Sequence, residues 1–223
     1  MSVTTELRQR AGPLWDAQLV HPLVRGIGDG TLAIETFGLW LRQDYLFLID
    51  YGRTLGYAAA RAPDLATQQG FTAAMHETLH TEMDLHRSYV AEFGIMAADL
   101  EREAMLPTTQ AYTDFLLRTA ATADFAEIVA AILPCMWGYS DLGRALARQG
   151  LPADERYARW ITMYAADEFA TLAQWCRDVL DTAAEHLSPA ARHRVETAFM
   201  ISSRYELAFW EMAWRGENWM PPE

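Results

Sequence analysis

Three groups of residues in this chain have types and spacings that can do chemistry. The first is I-L-P-C-M-W-G-Y-S-D-L-G, residues 132–143. Pro134 has no N–H to donate one turn back, so an apolar helical run must kink or restart there. If a helix restarts, Cys135 lies in its first turn, where free N–H groups and the positive end of the dipole favour a thiolate. Tyr139 follows at i+4 and shares that face. The alternative is a kinked core helix with an inert, buried thiol. Cys176 offers a control, because L-A-Q-W-C-R-D-V-L is regularly amphipathic without a breaker and reads as structural.

The second group is two acids set among aromatics. Asp44 in W-L-R-Q-D-Y-L-F-L has Trp40 one turn before it and Phe47 and Leu48 one turn after, which turns it toward the core side of its helix. Glu206 in R-Y-E-L-A-F-W-E-M-A-W has Phe209 and Trp210 at i+3 and i+4, and burial would raise its pKa toward that of a general acid at neutral pH. The bland reading pairs these acids with Arg42, Arg204 or buried Tyr and Trp donors.

The third is His76-Glu77-Thr78-Leu79-His80, a literal H-E-x-x-H. Two imidazoles one helical turn apart can share zinc with Glu77 as base, and Glu77-x-x-His80 is half of a carboxylate-bridged di-iron site. Glu82, Asp84, His86 and Arg87 continue the polar character without a clear third ligand, and no second E-x-x-H exists. A solvated polar helix face is the better reading.

Helices must position these groups. Apolar residues recur at helical spacing throughout, and no alternating strand pattern is present. Breakers and caps at His21-Pro22, Gly26–Gly30, Pro63-Asp64, Gly94, Pro107-Thr108, Gly150–Pro152 and Ser188-Pro189 divide the chain into about seven helices, near 4–20, 31–61, 66–93, 108–120, 122–149, 154–180 and 189–215. Thr31, Asp64 and Ser188 read as start signals. No linker or repeat splits the chain, so residues 1–223 form one all-α domain, a bundle whose facing helices can enclose a central pocket.

Composition narrows the function classes. A chain of 223 residues can bury about 70–75% of its unfolded surface as one domain. Thirty acidic against eighteen basic residues give a net charge of −12, which repels phosphate backbones and anionic membranes. The two cysteines and the polar N-terminus suit a reducing, cytoplasmic setting, and no apolar run approaches the roughly 18–20 residues of a membrane span.

Taken in order and spacing, W-L-R-Q-D-Y-L-F-L, L-P-C-M-W-G-Y-S-D-L-G, W-I-T-M-Y-A-A-D-E-F and R-Y-E-L-A-F-W-E-M-A-W resemble the TenA/Thi-4 family, the thiaminase II family of thiamin salvage, over nearly the whole chain. The resemblance implies a haem-oxygenase-like bundle, usually a homotetramer, and no metal or organic cofactor. It implies hydrolysis of aminopyrimidines, chiefly 4-amino-5-aminomethyl-2-methylpyrimidine, to the hydroxymethylpyrimidine, with thiamin a slower substrate. It carries the nucleophile to Cys135, the acid/base to Glu206 and the ring-holding carboxylate to Asp44, with Tyr112, Tyr139 and Tyr164 in the pocket. Cys135 puts the chain in the cysteine-bearing branch. Phe47 departs from the tyrosine common there, keeping a ring and losing a hydroxyl whose hydrogen bond is worth about 0.5–1.5 kcal/mol. Competing expectations are a metal enzyme at His76, Glu77 and His80, a haem oxygenase with His21 as axial ligand, and a non-catalytic module that binds a small aromatic ligand.

Overall fold

The computed structural model describes residues 2–92 and 100–219, and among them only helices, turns and loops occur. The helices are α1 (Val3–Arg10), α2 (Gly12–Leu19), α3 (Pro22–Asp29), α4 (Ile34–Ala60), α5 (Leu65–Glu77), α6 (Met83–Glu92), α7 (Pro107–Thr122), α8 (Phe125–Ala147), α9 (Glu155–Ala165), α10 (Asp167–Ala183) and α11 (Pro189–Arg215). A π-helical turn, Thr78–Glu82, joins α5 to α6. The described helices exceed the seven expected because three of the expected helices break and α3 forms where punctuation is expected. Residues 4–20 divide at Ala11, residues 154–180 at Ala166, where an extended backbone interrupts the run without Pro or Gly, and residues 66–93 at the π turn. The expected cap at Gly94 lies outside the described residues.

Two further local expectations are corrected. His21 to Gly30 reads as punctuation but contains α3. His21 accepts from the Leu23 N–H, Pro22 takes the first helical position, and Leu23, Val24 and Ile27 are buried, so the segment is a capped amphipathic helix. Thr31 does not cap α4, which starts at Ile34 behind Ala33. Asp64 and Ser188 do cap α5 and α11, accepting from Thr67 N–H and Ala191 N–H.

The core is centred on α8. It packs against α9, α10 and α11, while α4 packs against α5 and α7 and also reaches α8. Residues 128–134 of α8 are all buried, which fits a helix enclosed on every side. A slab of large aromatics fills the space between α4, α8, α9 and α11: Trp40 stacks on Trp210 at 5.3 Å, and Tyr139 contacts Trp210 at 5.3 Å and Tyr164 at 4.9 Å. Among the described residues, no helix is long and apolar enough to cross a membrane.

Gly143 lets α9 approach α8. A Cβ there would stand 2.6 Å from the Tyr164 carbonyl carbon and 2.7 Å from the Ala165 nitrogen, both backbone atoms. Gly143→Ala must therefore push Tyr164 outward. The expected result is a loss of about 1–3 kcal/mol of stability, read as a lowered urea midpoint at unchanged m, and weakened substrate binding.

Candidate active site

The cysteine segment lies inside a continuous helix. α8 runs from Phe125 to Ala147 with Pro134 in its interior, so the expected restart does not occur and Cys135 is ten residues from the helix start, without the dipole's help. Carbonyls around the proline find partners outside the helix: Ser202 Oγ donates to Ala131 O at 2.7 Å and Tyr51 Oη to Ile132 O at 3.3 Å. Burial pushes the Cys135 thiol well above its ordinary pKa, reinforced by the carboxylates of Glu206, Glu82 and Asp44, while a hydrogen bond with Tyr51 pulls it down. In the free protein this residue is a neutral thiol.

Cys135 lines a narrow, partly open cavity of about 20 Å³. Asp44 and Tyr51 reach it from α4, Glu82 from the π turn, Cys135 and Tyr139 from α8, Tyr164 from α9 and Phe169 from α10. Asp44, Cys135, Tyr139 and Tyr164 are thus brought together on one surface. Glu206, Tyr112 and Phe47 stand one layer behind it. Tyr112 Oη donates to Glu206 Oε1 at 2.5 Å and shares a 2.7 Å hydrogen bond with Ser202, which ties the acid to α8 through Ala131. Phe47 packs on Tyr112 at 4.9 Å and on Tyr51 at 5.5 Å. The phenol at the thiol belongs to Tyr51, one turn beyond the position where Phe47 lacks a hydroxyl.

The acids find the partners that burial demands. Glu206 is 3% exposed, and burial is the main cause that pushes it up to about 8, with the Tyr112 hydrogen bond opposing and Asp44 adding to the rise. The rise has the direction that its aromatic neighbours suggest. Arg42 turns to Glu103 and Arg204 is exposed, so neither neutralises these carboxylates. Asp44 is held instead by His86, at 2.6 Å.

Glu82 and His86 are the residues that sequence reasoning missed. Read as one polar face, residues 76–87 divide at the π turn: His76, Glu77 and His80 are exposed, whereas Glu82 lines the cavity and His86 is fully buried. A π turn inserts a residue and shifts the phase of the helix beyond it, a feature frequent at functional sites. Burial pushes Glu82 up to about 7, with Asp44 adding to the rise and His86 opposing it, and its Oε1 accepts from Tyr164 Oη at 2.7 Å. The available signal was the i, i+4 series Thr78, Glu82, His86 continuing the buried face of Phe71 and Ala74.

The H-E-x-x-H residues form no ligand set. Glu77 accepts from Thr81 at 2.7 Å, and no cluster of three His, Cys, Asp or Glu with metal-holding geometry occurs among the described residues. A His76→Ala/His80→Ala variant is expected to keep turnover within about two-fold of wild type, since surface changes rarely matter beyond their contacts. His21 is engaged at both nitrogens, accepting from Leu23 N–H and meeting Glu211 at 2.9 Å, which leaves none for an axial ligand.

Comparison with known proteins identifies the family and the fold. A sequence profile of the TENA/THI-4/PQQC family matches residues 8–216. The chain is 40% identical over 222 residues to the aminopyrimidine aminohydrolase of Halalkalibacterium halodurans, covering 98% of each. Among solved structures it is similar to a TenA homologue from P. horikoshii OT3, at TM-score 0.88 and 26% identity over 97% of this chain and 100% of that one. Its fold is also like that of a domain with a heme oxygenase-like fold from Shewanella denitrificans, at TM-score 0.74 and 16% identity over 96% of this chain and 92% of that one. With the profile spanning nearly the whole sequence and a relative at 40% identity end to end, the chain belongs to the TENA/THI-4/PQQC family.

Proposed function

We propose that this chain is an aminopyrimidine aminohydrolase of thiamin salvage, converting 4-amino-5-aminomethyl-2-methylpyrimidine to 4-amino-5-hydroxymethyl-2-methylpyrimidine and acting more slowly on thiamin. The observation that carries the reading is a thiol, Cys135, sharing one pocket with Asp44, Tyr139 and Tyr164, with the buried Glu206, pushed up to about 8, behind it. A relative 40% identical from end to end bears that activity as its name.

Cys135 is the nucleophile. Its thiol adds to the electron-poor ring, forming a C–S bond, while the thiol proton passes in net terms to the ring nitrogen that faces Asp44. Burial and the surrounding carboxylates hold the thiol neutral in the free protein, so sulfur becomes an anion only as its proton moves to the ring nitrogen. The electrons then expel the amine from the exocyclic methylene, and Glu206 supplies its proton. Water adds to the methylene and returns a proton to Glu206; as the C–S bond breaks, the ring nitrogen gives its proton back to the sulfur, so that substrate and water give the alcohol and ammonia. Asp44 makes a charge-assisted hydrogen bond to the ring, and Tyr139 and Tyr164 hold its faces. Tyr112 and Phe47 act from behind, holding Glu206 and packing its support.

The family's usual homotetramer and a cytoplasmic setting complete the proposal. Exposed Val20, Tyr57, Trp214 and Trp219 are apolar surface that assembly would cover. Light scattering of the purified protein reads the assembly directly, and a monomer would remove that part of the proposal. The activity is tested by incubating purified protein with the aminomethyl compound and with thiamin: expected is hydroxymethylpyrimidine from both, faster from the former, and absence of product from both would overturn the reading.

A further inference from the structure

Behind Asp44 stands a side chain that plays no part in the chemistry above. His86 is fully buried on α6 and does not line the cavity. Its Nδ1 lies 2.9 Å from the Glu82 main-chain oxygen and its Nε2 lies 2.6 Å from Asp44 Oδ2. A carbonyl oxygen only accepts, so Nδ1 carries a hydrogen. Nε2 and Asp44 share one proton across their 2.6 Å contact, and the raised proton affinity of the ring favours the imidazole as its holder.

The surroundings agree with a cation at this point. Facing the His86–Asp44 pair are Glu82 from the π turn, Cys135 and Tyr139 from α8, Tyr164 from α9 and Glu206 from α11, all acidic or neutral groups. Burial alone would pull the imidazole's proton affinity down. The hydrogen bond and charge of Asp44, with Glu82 behind them, outweigh burial and raise it.

We propose that His86 is a positioning residue for substrate binding, fixing one oxygen of Asp44 so that the carboxylate stays an anion with its other oxygen directed at the pyrimidine. The proposal rests on the reading of this cavity as a pyrimidine site. His86 never touches substrate; it sets the charge and orientation of the group that does.

The test compares full-length wild type, His86→Gln, Asp44→Asn and the double variant, by steady-state kinetics on the aminomethyl compound across pH and by imidazole nitrogen NMR. In H86Q, KM is expected to rise about ten-fold or more with kcat changed far less, because uniform binding is lost. In the D44N background H86Q adds little, as expected when one residue acts through the other. By NMR, the wild-type His86 ring holds both hydrogens at pH 7, above the roughly 6.5 of free imidazole, and loses one more readily in D44N. A neutral His86 ring at pH 7, an unchanged KM in H86Q, or an H86Q defect that multiplies that of D44N would each overturn the proposal. Should H86Q not fold, the NMR comparison of wild type with D44N decides alone. Wild type inert toward every pyrimidine would sink the activity reading while leaving the NMR result to judge the His86–Asp44 pair.

Discussion

Glu206→Gln is expected to lower kcat by about 10²–10⁴, the usual contribution of a positioned general acid, with KM little changed. Gln fills the same volume and its amide oxygen still accepts from Tyr112, so the 2.5 Å contact that ties α11 to α7 has a replacement. What disappears is the proton for the departing amine. With Glu206 pushed up to about 8 by burial, wild-type kcat/KM should fall as pH rises through about 8, and that alkaline limb should be missing from the variant's residual activity. Stability should fall over the same range. The folded carboxyl holds its proton up to about 8, whereas an unfolded Glu loses it near 4.3, so between these values only the native state is protonated. The stabilisation is complete below about 4.3 and is lost as pH rises through the folded value. Gln does not titrate, so the variant should melt above wild type at pH 9, with the gap closing toward pH 5. Near-normal hydrolysis, or a gap that widens toward acid, would sink the assignment.

Cys135→Ser is expected to lose activity by at least about 10³, because a hydroxyl in the same place is a far poorer nucleophile. The fold should persist. Cys135 is a half-buried member of the core edge, and the exchange of sulfur for oxygen keeps its partner Tyr51 and opens little space. Thermal melting should shift by no more than a few degrees, equivalent to about 1 kcal/mol. Loss of activity with an intact fold separates catalysis from the competing reading of a ligand-binding module, for which the thiol is one more contact and the pyrimidine would still bind.

Much of the architecture is legible in the residues alone. The 3.6-residue period and the caps at Asp64 and Ser188 place α5 and α11 because apolar spacing and side-chain capping are local properties. The breaks at Ala11 and Ala166 are not legible, since neither position holds a residue that forbids helix; packing bends the chain there. Pro134 misleads in the opposite sense. A proline is costly in an isolated helix, but here Ser202 and Tyr51 bond to the neighbouring carbonyls and burial on all sides holds α8 continuous through it. For the site, burial of Asp44 and Glu206 follows from their aromatic neighbours at i±3 and i±4, whereas the role of Cys135 rests on family resemblance. Its pKa moves opposite to the local expectation, because burial strips the thiolate of solvent and carboxylates from three other helical segments add to the rise. Glu82 and His86 stay hidden because they are polar residues among polar neighbours, although their i, i+4 spacing continues the buried series Phe71, Ala74 and Thr78.

The most direct measurement tracks ammonia release from 4-amino-5-aminomethyl-2-methylpyrimidine by wild type and Cys135→Ser side by side, both confirmed folded by near-ultraviolet circular dichroism. Expected is steady release by wild type with hydroxymethylpyrimidine formed in equal amount, and none above background from the serine variant. Equal rates from the two proteins would contradict nucleophilic catalysis by Cys135.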